Sequence, residues 1–227
     1  MRTSFEIVKA QIRSGRLAMG SPVPAPKTSL AGITSTDPVG FADDYLAHLG
    51  SVLSRIDREE VGAFISTLLD ARSRGARIFF IGNGGSAATA SHFANDVAIG
   101  SDDYDRPFRA LSLTDNVAVL TALGNDFGFD EVFVRQLRVL AESGDVLVAI
   151  SASGNSANLI SAVEYAASAG IRTVAITAFD GGRLRSLADL GVHVPTELGE
   201  YGPAEDAHMV LDHLTGAYLM RLVRSER

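Results

Sequence analysis

The sequence contains no cysteine in 227 residues. That absence excludes a disulfide framework, a thiolate metal site and a cysteine nucleophile, and it fits a cytoplasmic protein. No uninterrupted apolar run approaches the roughly 20 residues a bilayer crossing needs. Charges interrupt the apolar part of the N-terminal stretch, so a secretory signal is not expected either. Basic residues are in deficit: 20 Lys and Arg stand against 27 Asp and Glu, a net charge of −7. A duplex-binding surface normally needs the opposite balance, so no nucleic-acid partner is expected. What remains is 46% hydrophobic and 21% charged, the balance of a globular chain of one domain with an extra arm.

The arm is expected over residues 1–37. It is rich in Pro, Ser, Thr and Gly ("GSPVPAPKTSLAGITSTDP"), so it is expected to be loop or partly disordered, with a short helix around Phe5 to Arg16. Residues 38–227 form the expected main domain. It begins with two amphipathic helices, the first carrying Phe41, Tyr45, Leu49, Val52 and Ile56, the second Val61, Phe64, Leu68 and Leu69. Asp57 is expected to cap the second helix with Glu60 in a capping box, and Gly75 to end it. His48, on the first helix, reads as an ordinary helix residue.

From Arg77 onward, apolar runs alternate with helical patterns. "RIFFIG", "RALSL", "DVLVAI", "RTVAIT" and "GVHVP" are nearly continuous in apolar character, as strands buried on both faces should be. Helices are expected at Ser86–Ile99, Val117–Leu123, Glu131–Ala141, Ala157–Ala169, Gly182–Asp189 and about Pro203–Val223. This alternation predicts an α/β fold, a doubly wound, flavodoxin-like five-stranded parallel sheet with helices on both faces.

Two strand-to-helix turns resemble each other: "GNGGS", Gly82 to Ser86, and "SASGNS", Ser151 to Ser156. Each opens a helix, whose N-terminus offers unpaired N–H groups and a positive pole. Glycine permits close backbone approach and serine adds short donors, the chemistry of a phosphate cradle. With strand order 2-1-3-4-5 both turns would flank the crevice at the topological switch point. Gly82, Gly84 and Ala87 also match a dinucleotide fingerprint. The acidic residue such a site wants about 20 positions on is badly placed, however, because Asp102, Asp103 and Asp105 precede the second strand and Asp115 follows it. Four side-chain donors in the second turn (Ser151, Ser153, Asn155, Ser156) suit a phosphomonoester better, so no nucleotide cofactor is expected.

"GNGGSAATASHFANDV", "LTALGNDFGFDEVF", "GDVLVAISASGNS", "TAFDGGRL" and "YGPAEDAHMVLDH" resemble the sugar isomerase (SIS) domain family, and within it the phosphoheptose (sedoheptulose-7-phosphate) isomerases most closely. The resemblance covers residues from about Gly40 to the C-terminus. It implies a phosphosugar ketose–aldose isomerase working through an enediol, with a non-catalytic SIS-type phosphosugar-binding or regulatory protein as the alternative. It further implies a substrate-binding set in which Ser86, Ser151, Ser153 and Ser156 hold the phosphate and Asn83 and Gly84 form the turn beside it, and that the chain forms a homotetramer with sites near subunit interfaces. Asp126 is a secondary candidate for lining the crevice.

Moving a proton between adjacent carbons needs a base and a group that stabilises the developing oxyanion. His92 and Asp96 share one helix face at i, i+4. The resemblance places both in the active site, with Asp96 where a glutamate is usual. It also matches His213 to the family's catalytic histidine, His208 to a further histidine, and Glu205 to a usual glutamine. A helical wheel aligns Glu205, His208 and Asp212, with His213 displaced by about 80°; His213 is nonetheless favoured, on the resemblance. If His92, Asp96, Glu205 and His213 converge, they form an N/O set suited to zinc or another divalent ion. Where the isomerases usually carry an arginine, this chain has Gly100; Arg106 and Arg109 come later. His193, at the end of the fifth strand, reads as structural.

Overall fold

The computed structural model describes residues 29–226. The helix expected over residues 5–16 lies outside them. The chain separates into two units, Met1–His48 and Leu49–Arg227, the division falling inside helix α1 (Pro38–Ser54). In the first unit Leu30–Gly32 makes a 3-10 turn. The Ser35 hydroxyl donates to Asp44 at 2.5 Å, and the Asp37 carboxylate accepts the Gly40 N–H at 2.9 Å.

The second unit continues with α2 (Arg58–Arg74), β1 (Arg77–Gly82), α3 (Gly85–Asn95), a π-helical turn at Asp96–Gly100, β2 (Arg109–Ser112) and α4 (Val117–Phe127). After these come α5 (Val134–Leu140), β3 (Val146–Ser151), α6 (Ala157–Ser168), β4 (Arg172–Thr177), α7 (Gly182–Leu187), β5 (Leu190–His193) and α8 (Tyr201–Ser225). The sheet is parallel throughout, in the order β2-β1-β3-β4-β5. Among the described residues no helix is long and apolar enough to cross a membrane.

Alternate residues of the central strands point to opposite faces, which makes two cores. Ile78, Phe80, Val148, Ile150 and Ile176 pack under α2, α3 and α8 through Phe64, Leu68, Phe93, Leu211 and Leu219. Phe93 stacks on Phe80 at 5.2 Å and meets Phe64 edge-on at 5.7 Å. Phe79, Ile81, Leu147 and Ala149 face α5, α6 and α7 through Leu137, Leu159, Val163 and Leu184. Burial on both sides explains why these strands read as unbroken apolar runs.

Two local expectations change. Asp57 caps α2 by accepting the Glu59 N–H at 2.8 Å, but Glu60 does not close a capping box; its Oε2 accepts the His193 N–H at 2.8 Å and ties α2 to β5. Helix α4 runs past Leu123 to Phe127, because the helix accommodates Gly124 and only Gly128, at φ 92°, breaks it.

Gly154 lies at φ 63°, and a Cβ there would overlap the Gly181 carbonyl. The loops after β3 and β4 therefore pack backbone on backbone. Gly154→Ala is expected to cost about 2 kcal/mol or more of stability, from the left-handed φ and the overlap together. Urea unfolding measures it, and an unchanged midpoint would show that the loops stand apart in solution.

Candidate active site

Because β1 pairs with β3, Gly82 opposite Ile150, the two glycine- and serine-rich turns leave the sheet side by side at its switch point. The side-chain amides of Asn83 and Asn158 exchange two hydrogen bonds, each 2.9 Å, across the gap. Asn158 Oδ1 also accepts the Leu159 N–H at 3.0 Å. Asn158 was not singled out from the sequence; its signal is a lone carboxamide, buried here, in the apolar first turn "ANLI".

Gly84, at φ 54° and ψ −124°, holds a conformation closed to other residues and starts α3 without a side-chain cap. Ser156 likewise starts α6 without using its hydroxyl as a cap. Helices α2 and α4, by contrast, are capped by Asp57 and Asn116. No N-cap side chain takes up the leading N–H groups of α3 and α6, although Asn158 accepts that of Leu159, so those that remain are open to an anion. Ser86 and Ser151 are buried beside them, and Ser153 and Ser156 are half-buried. Ser151 Oγ accepts the Gly154 N–H at 3.1 Å and keeps its own O–H as a donor. Asn155 is spent on the loop itself, donating to Ser153 O at 2.9 Å and accepting the Arg183 N–H at 3.1 Å.

The chemical groups lie farther along α3, where α8 crosses it. His92 and His213 bring their Nε2 atoms to 3.4 Å, with rings inclined at 72°. Asp96 Oδ2 is 3.6 Å from His92 Nε2, so the shorter acid still reaches the pair. Asp96 opens the π-helical turn, a feature that recurs at functional sites. Asp212 joins them: donor atoms of His92, Asp96, Asp212 and His213 all lie within 4.8 Å of one another. Two Nε2 atoms bound tetrahedrally at the usual zinc distance would stand about 3.3 Å apart, so the observed spacing fits such an ion.

Glu205 is not one of these four. A Cβ on Gly85 would overlap its carboxylate, so the side chain lies over the start of α3, at that helix's positive pole. Asp126 is exposed in the last turn of α4 and accepts from Asn125 at 2.8 Å. His208 is fully buried, and burial lowers its pKa to about 4; the nearby Thr177 carbonyl offsets only part of this, and neither ring nitrogen is in hydrogen-bonding geometry with a described residue. His193 Nδ1 lies 3.2 Å from Thr177 Oγ1, a strand-to-strand contact, and burial first, then the Arg185 charge, lowers its pKa. Arg106 and Arg109 do not take the place of the arginine missing at Gly100. Arg106 pairs with Glu226 at 2.5 Å, and Arg109 starts β2 and donates to Gly75 O at 3.0 Å, at the opposite end of the strands from the crevice.

Burial, and secondarily the charge of Asp96, pushes the Asp212 carboxyl from its ordinary 3.8 up to about 7. The folded state therefore holds that proton more tightly than the unfolded chain between these pH values. Stability contributed by this group falls as pH rises from about 4 to 7 and stays low above. In metal-free protein Asp212→Asn is expected to raise stability by about 2 kcal/mol at pH 8 and by less than half of that at pH 5. Thermal unfolding at both pH values checks this; an equal change at both would show that Asp212 is not an ionised, desolvated acid.

The family model described as "SIS domain" matches residues 44–178. A phosphoheptose isomerase of Geobacter sulfurreducens is 38% identical over 178 residues, covering 76% of this chain and 93% of that protein. One from Akkermansia muciniphila is 39% identical, covering 78% and 89%. The solved structure of phosphoheptose isomerase GmhA from Neisseria gonorrhoeae superimposes with a TM-score of 0.71 at 33% identity, over 78% of this chain and 96% of that one. The paired glycine- and serine-rich loops, the sheet order and these matches agree: the chain belongs to the SIS domain family and is similar to its phosphoheptose isomerases.

Proposed function

We propose that the protein is an aldose–ketose isomerase of the phosphoheptose isomerase type, converting sedoheptulose 7-phosphate into an aldoheptose 7-phosphate through an enediol. The observation that carries this reading is the separation of two chemistries along one helix. Ser86 sits at the start of α3 and His92 six residues on, a rise of about 9 Å. A linear sugar with phosphate at one end and carbonyl at the other spans a distance of that order.

In this reading the N-termini of α3 and α6, with Ser86, Ser151, Ser153 and Ser156, hold the phosphate, and Asn83 and Gly84 shape the turn beside it. Asp96 takes the proton from C1 of the ketose. His213 exchanges protons with the oxygens on C1 and C2, and the proton returns at C2 to give the aldehyde. His92, Asp96 and His213 fit a divalent ion such as zinc; when bound, it would polarise the carbonyl and stabilise the negative charge developing on its oxygen. The cysteine-free composition supports a cytoplasmic setting.

We read the assembly as a homotetramer. Helix α4 buries none of its residues. Beside it an apolar cavity of about 660 Å³, lined by Leu111, Val119, Leu123, Val139 and Leu140, opens along the β2 edge. Asp126, exposed on α4, would then approach a site across such a contact. Light scattering is expected to give four chains per particle, and Val139→Asp to yield smaller species; a monomeric native protein would overturn this.

Incubation with sedoheptulose 7-phosphate is expected to yield the aldose. Asp96→Asn and His213→Ala should each lower kcat by about 10²- to 10⁴-fold with little change in Tm. Ser151→Ala and Ser153→Ala should chiefly raise KM. Thermal stabilisation by sugar phosphates without turnover of any of them would favour a binding protein instead.

A further inference from the structure

Asp212 is the member of the cluster that the family resemblance does not assign. Its side chain is fully buried, and neither carboxylate oxygen has a hydrogen-bond partner among the described residues. Buried carboxylates ordinarily recruit several donors, because an unpaired one bears the whole cost of desolvation. Here one oxygen instead faces two imidazole nitrogens and a second acid, all within 4.8 Å. Nothing in that group supplies positive charge while the imidazoles are neutral. A cation held among these four donor atoms would give the Asp212 carboxylate the partner it otherwise lacks.

The residue at the resemblance's usual glutamine position looks elsewhere: the Glu205 carboxylate lies over Gly85 at the start of α3. We infer that Asp212, rather than Glu205, supplies the fourth protein ligand of a divalent-cation site completed by His92, Asp96 and His213. Two imidazoles with two carboxylates suit zinc better than calcium or magnesium, which prefer all-oxygen shells. Asp212 closes the buried side of the site, while His92 and His213 lie on its exposed side. This assignment concerns the site read above as an isomerase, but metal affinity tests it without turnover, so the two readings can fail separately.

The experiment is calorimetric titration of metal-free, full-length protein with zinc. The native chain is expected to bind one ion per chain. Asp212→Asn should weaken binding by about 100-fold or more while unfolding, metal-free, at a temperature no lower than the native protein. Glu205→Gln should stay within about threefold of native affinity. Native-like zinc binding by Asp212→Asn would overturn the assignment, as would an equal loss in Glu205→Gln or no binding by the native chain. Cobalt loading gives a second measurement that needs no Asp212 variant: the visible absorption bands should be the same in native protein and Glu205→Gln. Bands that move in Glu205→Gln would put Glu205 on the metal and remove the case for Asp212.

Discussion

The amide pair between Asn83 and Asn158 fixes the geometry on which the site depends. Pairing of β1 with β3 brings two strand ends together, but strands alone do not set how their loops face. The two reciprocal bonds lock the first turn of α6 to the loop before α3. Both helices then aim uncapped N-termini at one space. Each amide spends a donor and an acceptor on its partner, so the link is satisfied internally and does not compete for a ligand. Backbone N–H groups that would otherwise need water or a side-chain cap are thereby held facing one space.

Much of this was legible in the sequence because burial on both sheet faces leaves a plain mark. "RIFFIG" and "RTVAIT" coincide with strands Arg77–Gly82 and Arg172–Thr177. The two loops stand out in the sequence because glycine and serine gather at both strand-to-helix junctions. The less visible features depend on meetings between distant elements. Asn83 and Asn158 are 75 residues apart, and nothing local in either turn announces the other. The π-helical turn at Asp96 is a one-residue slip in hydrogen bonding that the apolar pattern does not record. Glu60 looked like a capping residue because its spacing from Asp57 is right, yet the backbone of β5 offered it a better donor in His193.

The helical wheel of α8 separates buried His208 and Asp212 from exposed His213 correctly, but it does not say which of them meet. It treats a helix as a cylinder with one inward face, and so it grouped Asp212 with His208 and set His213 aside. In the structure α8 packs against α3, and the consecutive residues Asp212 and His213 both reach the cluster. Asp212 comes up from the buried side and His213 from the exposed side to meet His92 and Asp96. His208, one turn earlier, already faces Thr177 and the end of β4 instead. Facing pairs on crossing helices are set by the crossing, not by spacing along either helix.

Charge along α3 then gives the site a direction. Its N-terminus, with that of α6, is electropositive through oriented backbone dipoles. Its far end gathers Asp96 and, across from it, Asp212. A phosphate dianion placed at the acidic end would meet repulsion in a partly buried setting, where like charges interact more strongly than in water. A linear sugar phosphate therefore has one favourable orientation, phosphate toward the loops and carbonyl toward the acids. Glu205 partly opposes this arrangement, since its carboxylate lies over the positive pole that the phosphate would use. Binding must move that side chain aside or leave it sharing the pole with the phosphate, a constraint that a glutamine at the same position would relax because it carries no charge.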